Sequence, residues 1–341
     1  MKLFGKDLNN EVAVVAEVGV NHEGDVDVAC RLVRAAADAG ADAVKFQSYT
    51  PERFVGAVDA ARMERVTRFG LDEAAHRRLA AEAERAGIAF FSAAISEDWV
   101  PLIAQLSDAV KIASGDLDFE VVIKAAAETG KTVVLSTGAG DIEEVDRAVG
   151  WVEDVVGSAS LVDRLVLMHC VSAYPAPIEE CNLRVIPMMA ARYGIHVGWS
   201  NHVLGPEACL AAVALGANVI EVHVTDNKQG RTFRDHELSF EPAELAALVT
   251  SVAFVRLSLG TETKQPSPSE LVVRDAIRKG VVAARELKAG DVLAAADLMY
   301  ARPATHFPSA QLGALAGRRL SRDLKLGECI EPGALESQSA Q

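Results

Sequence analysis

The chain has 341 residues, and 34 Lys and Arg against 48 Asp and Glu give a formal net charge of −14. That balance, with a pI near 5.1, argues against nucleic acid as the main partner but leaves room for a basic pocket that takes small anions. A 50% apolar fraction and a mean hydropathy of +0.15 exclude a disordered chain, and no run nears the roughly 18 apolar residues of a membrane span.

Eight short apolar runs recur along the chain: Val12–Val20, Ala43–Gln47, Ala89–Ala94, Ala109–Ser114, Thr132–Thr137, Leu165–Val171, His196–Ser200 and Val219–Thr225. Between them lie segments with apolar residues at helical spacing, such as Val26–Ala39, Glu73–Ala86 and Ile142–Val155. Unbroken apolar strands suit a parallel sheet buried on both faces. Eight β-α units in about 250 residues point to a (β/α)8 TIM barrel, residues 1–260. An open doubly wound sheet is the rival, but no GxGxxG follows the first strand. After a helical Pro242–Leu259, the polar, proline-bearing Gly260–Glu270 opens a linker, 261–279. Short strand runs and turns then predict a small β-rich domain over 280–335 and a disordered tail over 336–341. The N-terminal MKLFGKDLNNE lacks a signal-peptide core. Five cysteines without a CxxC pair read as reduced thiols of a cytoplasmic protein.

Barrel active sites sit at the C-terminal ends of the strands. Those ends carry Glu17, Asn21 and His22; Lys45 and Gln47; Ser92 and Ser96; Lys111, Ser114 and Asp116; Ser136 and Thr137; His169, Ser172 and Tyr174; Ser200, Asn201 and His202; and Glu221, His223 and Thr225. Lys45 and Lys111 with hydroxyls around them make an anion cage for phosphate or carboxylate. The bland reading of either lysine alone is a strand-end side chain reaching solvent. His202 and His223 close adjacent strands and suit one divalent ion in an open octahedral site better than a closed zinc site. A lone histidine is more often structural.

Together these segments resemble the sialic acid synthase (N-acetylneuraminate synthase) family. The matching motifs are Ala16–Gly24, Val44–Gln47, Lys111–Asp116, Leu135–Gly138, Leu167–Cys170, Tyr174–Pro177, Gly198–His202 and Glu221–Thr225. Ala283–Arg285, Lys288–Asp291 and Arg302–Pro303 are similar to the antifreeze-like SAF domain that follows the barrel in that family.

The resemblance implies condensation of phosphoenolpyruvate with the aldehyde of an open-chain amino sugar, giving a 2-keto-3-deoxy acid and phosphate. It implies that Lys45, Lys111, Ser114, Ser136, Ser172 and Tyr174 hold phosphoenolpyruvate. His202 and His223 would hold a divalent metal, Mn2+ first and Mg2+ or Co2+ as alternatives. Glu17, Asp116 and His202 would be catalytic. Gln47, Asp235 and Arg302 would contact the sugar, Arg302 from a partner subunit in a domain-swapped homodimer. No membrane or nucleic-acid partner is expected. The sequence departs from the family at Asn201 (usually Asp), Asp116 (usually Glu), Ala93 (usually Thr), Ser172 (usually Asn) and Ala304. Changes at 231–235 and 302–306 lie where the sugar would sit and imply a variant acceptor. A non-catalytic sugar-binding paralogue and a metal-dependent hydrolase on the same barrel are the competing readings.

Overall fold

The structure is a computed structural model that describes residues 1–304 and 306–337. It divides into two compact units, Met1–Gly260 and Thr261–Gln341. In the first, eight parallel strands close into a barrel: β1 (Ala13–Gly19), β2 (Ala43–Ser48), β3 (Ala89–Ala94), β4 (Ala109–Ile112), β5 (Thr132–Ser136), β6 (Leu165–Cys170), β7 (His196–Asn201) and β8 (Val219–His223). Each lies within two residues of its expected bounds at either end, and β8 pairs with β1 to complete the ring. The expected (β/α)8 barrel is therefore the fold.

The strands alternate between two cores. Val14, Ala16, Val44, Phe46, Phe90 and Val110 pack outward against the helices. Val15, Ala43, Phe91, Ala109, Val134 and Met168 fill the lower interior together with Leu3 and Leu8 of an N-terminal hairpin, Lys2–Leu3 and Lys6–Asp7. Two residues further along β1, β2, β4, β5, β7 and β8 the inward positions become Glu17, Lys45, Lys111, Ser136, Ser200 and Glu221. The period of two thus turns an apolar floor into a polar pocket at the C-terminal ends.

Local signals stop and start the helices. Asp25 caps Val26–Asp38, its carboxylate accepting from the Asp27 and Val28 amides, and Asp141 with Glu144 forms a capping box at Ile142–Val156. Two helices, Pro51–Phe54 and Ala60–Phe69, lie in the connection after β2. Gly24 sits at φ +88°, and a Cβ there would meet the Arg68 carbonyl oxygen at 2.3 Å. Gly24→Ala is accordingly expected to cost roughly 1–3 kcal/mol from the backbone conformation and more from the clash, read as a lower urea midpoint.

In the second unit, β9 (Gly280–Ala283) pairs antiparallel with β10 (Leu298–Ala301) over a core of Val281, Leu287, Leu293, Leu315, Leu320 and Ile330. Two sequence expectations change here. The stretch 261–279 is not all linker: Pro268–Ile277 is helical. Ser267 accepts from the Glu270 amide, Glu270 returns a bond to the Ser267 amide, and Pro268 occupies the first turn. The Ser-Pro-Ser-Glu run that read as linker is a helix start. The ordered chain also passes residue 335, since the Glu336 amide donates to the Arg319 carbonyl at 2.9 Å. Thr305 and residues 338–341 of the expected tail lie outside the described residues. Among the described residues, no helix is long and apolar enough to cross a membrane.

Candidate active site

A cavity of about 1180 Å³ opens at the C-terminal end of the barrel. Every site residue expected on the barrel lines it: Glu17, Lys45, Gln47, Lys111, Ser114, Asp116, Ser136, Ser172, Tyr174, His202, His223 and Asp235. Arg302 belongs to the second unit, exposed just beyond β10.

At the floor, the strand register sets Lys45 beside Glu17 and Glu17 beside His223. The Lys45 ammonium is 2.7 Å from Glu17 Oε2 and 3.5 Å from Glu221 Oε1. Glu221 Oε1 also accepts from Ser200 Oγ at 3.1 Å, while its buried Oε2 has no hydrogen-bond partner among the described residues. Burial pushes the Glu17 carboxyl up to about 7, against the pull of Lys45. Burial acts on Glu221 too, but Lys45, Lys111 and the Ser200 hydroxyl outweigh it and hold that carboxyl below its ordinary value. Two carboxyls thus share one ammonium, one of them poised to carry a proton near neutrality.

Lys111 is 2% exposed. Its ammonium donates to the Ile112 carbonyl at 2.8 Å and to Ser136 Oγ, and among the described residues it forms no ion pair with a carboxylate. A buried cation satisfied only by neutral oxygens is costly unless an anion arrives to pair with it. Beside it, Ser114 Oγ accepts from the Gly138 amide at 3.1 Å and lies 3.1 Å from Cys170 Sγ. Any side chain at Gly138 would collide with the Ser114 and Ser172 hydroxyls and with Cys170. Glycine there keeps open a cradle of hydroxyls against the buried ammonium. Asp116 follows Ser114 in one 3-10 turn, its carboxyl pushed up to about 6 by burial.

His202, Tyr174 and His223 form a ring cluster: Tyr174 lies 4.2 Å from His202 and 5.9 Å from His223, and the two imidazoles are 5.4 Å apart between centroids. His202 Nδ1 donates to the Val171 carbonyl at 2.6 Å, which leaves the Nε2 lone pair for a ligand. His223 Nδ1 is buried with no hydrogen-bond partner among the described residues. Burial drives His202 down to about 4 and His223 well below its usual value, so both are neutral bases at neutral pH. The pair fits a divalent metal. Among the described residues no group of three His, Cys, Asp or Glu is placed to hold one, so water or substrate oxygens would complete the shell.

The structure also assigns residues the sequence left unassigned. Glu221 and Ser200 were legible as strand-end polar residues, but only the structure shows Ser200 donating to Glu221 and Glu221 sharing Lys45 with Glu17. Arg53, Arg62, Arg65 and Arg234 line the cavity as well. Asn201 turns away from the pocket: it accepts from the Trp199 indole at 3.0 Å and donates to the Val203 carbonyl at 2.8 Å. The departure there takes no charge from the cavity. Ala93 does line it, as a bare methyl.

A match to the NeuB family covers residues 32–264, and a match to the SAF domain covers 278–336. The chain belongs to the NeuB family. This NeuB-family chain is 34% identical over 331 residues to the N,N'-diacetyllegionaminic acid synthase of Legionella pneumophila, covering 93% of the chain and 92% of that protein. It is also 34% identical to the human N-acetylneuraminate-9-phosphate synthase, over 82% of the chain and 80% of that protein. Among solved structures, the N-acetylneuraminic acid synthetase of Leptospira borgpetersenii in complex with citrate aligns with a TM-score of 0.73 at 33% identity, over 79% and 93% of the two chains. The NeuB-family chain is thus an enzyme of the sialic acid synthase type.

Proposed function

We propose that the enzyme condenses phosphoenolpyruvate with the aldehyde of an open-chain amino sugar to give a 2-keto-3-deoxy sugar acid and inorganic phosphate. The observation that carries this reading is Lys111, a buried ammonium without a carboxylate partner among the described residues, set against the Ser114, Ser136 and Ser172 hydroxyls. That cradle suits the phosphate, and Lys45 suits the carboxylate of a compact polyanion. The relatives are named for different sugar acids, so the acceptor is set by the pocket's outer part.

The enol C3 attacks the aldehyde carbon, water adds at C2, and the C2–O bond to phosphate breaks. Glu17 and Glu221, sharing Lys45, are placed to take the proton that this water releases. Gln47 and Asp235 would orient the sugar, Tyr174 would help hold phosphoenolpyruvate, and Asp116 would face the sugar's reacting end. His202 and His223 would hold a divalent ion, manganese first, whose chemistry there is Lewis-acid polarisation of the aldehyde. Arg302 would reach the sugar from a partner copy in a domain-exchanged homodimer, detectable as a dimer by light scattering. We place the reaction in the cytoplasm, in keeping with the buried, unbridged Cys30, Cys170, Cys181 and Cys209.

Phosphate release is expected only when phosphoenolpyruvate, a divalent metal and an aldose are all present. Absence of release across a broad panel of amino sugars and other aldoses overturns the proposal. In calorimetry, His223→Ala is expected to lose at least about tenfold of the manganese-linked affinity for phosphoenolpyruvate.

A further inference from the structure

The connection after β8 brings Phe233, Arg234 and Asp235 to the cavity, and it is bolted down behind them. His236 is buried, with Nδ1 2.7 Å from Thr225 Oγ1 and Nε2 3.2 Å from Glu23 Oε1. Ser239 Oγ donates to the Asp235 carbonyl at 2.6 Å and accepts from the Asn21 side-chain amide at 2.9 Å. Arg234 therefore projects from an anchored backbone, although its own side chain is exposed.

That side chain makes two contacts at once. Its guanidinium lies over the Tyr174 ring, 4.8 Å from the centroid, and its Nε is 3.3 Å from Asp235 Oδ1. Tyr174 in turn packs on the His202 imidazole at 4.2 Å. Tyr174 belongs to the connection after β6 and Asp235 to the one after β8, so a single guanidinium ties two separate loops across the intervening β7. A planar cation can offer its face to an aromatic ring and its edge to a carboxylate, which a compact ammonium cannot do. The pairing with Asp235 is not exclusive. Burial pushes that carboxyl up, against the pull of Arg234 first and Arg65 second. What Arg234 adds is direction, since it touches the ring and the carboxylate together.

We propose that Arg234 is a positioning residue that sets the two substrates in register. It holds the Tyr174 ring toward phosphoenolpyruvate and the Asp235 carboxylate toward the sugar hydroxyls, and touches neither substrate itself. This deepens the synthase reading above and rests on it. A carbon–carbon bond needs the enol C3 and the aldehyde carbon about 3–3.5 Å apart and aligned. Groups that hold donor and acceptor on different loops must therefore be held relative to each other.

The test is a pair of double-mutant cycles. In calorimetry of phosphoenolpyruvate with manganese, Arg234→Ala is expected to weaken binding about three- to tenfold. In phosphate release with N-acetylmannosamine, or the most active aldose of the panel, it is expected to raise the aldose KM by a similar factor, with the melting temperature unchanged. In a Tyr174→Leu background, Arg234→Ala is expected to cost less than about twofold more for phosphoenolpyruvate, whereas in Tyr174→Phe, which keeps a ring, the full loss persists. In an Asp235→Asn background it is expected to add little to the aldose KM. Wild-type behaviour of Arg234→Ala, or an effect on one substrate alone, overturns the proposal. So does a loss of equal size in every background, which makes Arg234 a direct ligand or a merely structural residue. If no aldose releases phosphate, it is the synthase reading that fails. The calorimetric cycle with Tyr174 then decides Arg234 by itself: a loss that needs the ring supports the positioning role, and one independent of it rejects that role.

Discussion

Lys111→Met is expected to lower kcat/KM for phosphoenolpyruvate by about 10²–10³ while leaving the protein as stable as before or more so. The two halves of this expectation have one cause. Among the described residues, the buried ammonium has only the Ile112 carbonyl and the Ser136 hydroxyl as hydrogen-bond partners. Exchanging an unpaired buried charge for an apolar side chain of similar volume removes its desolvation cost. The same exchange removes the positive charge that a phosphate would meet in a water-poor cradle, where each such interaction counts for more than in solvent. Steady-state phosphate release and a thermal melt on one preparation check both. A variant that keeps full activity removes Lys111 from the binding of phosphoenolpyruvate, and one that melts far lower makes it a structural residue.

Glu17→Gln is expected to reduce kcat by about 10²–10⁴, with the calorimetric affinity for phosphoenolpyruvate held or improved. Glutamine keeps the shape and still accepts from Lys45, 2.7 Å away in the wild type. It cannot take up a proton. With one of its two carboxylates gone, the Lys45 ammonium is less neutralised and more available to an incoming anion. A loss of affinity with unchanged kcat would instead make Glu17 an orienting group for Lys45.

Much of this site could be read before any coordinates, because a barrel converts sequence position into spatial position. Strand ends converge on one pocket, so Lys45, Lys111, His202 and His223 could be grouped from the runs that precede them. What escaped depends on side-chain direction and on segments between the strands. Ser200 and Asn201 are neighbours in sequence, yet the pleat sends Ser200 to Glu221 and Asn201 back to Trp199. The substitution at Asn201 therefore looked closer to the chemistry than it is. The Ala60–Phe69 helix has four charged residues in ten, and its buried apolar anchors, Val66 and Phe69, are too few to announce a buried face. Its arginines gain meaning only from the cavity they border. In the second unit, the prolines at 266 and 268 pointed to a linker because the Ser267–Glu270 capping pair was not weighed against them.

The ion-pair cluster at the pocket floor straddles the seam of the ring. Glu17 and Lys45 come from the first two strands and Glu221 and His223 from the last. Some two hundred residues of chain must therefore be threaded before Lys45 meets its second carboxylate. Activity consequently reports closure of the whole ring, and a folding experiment followed by phosphate release times the docking of the final strand.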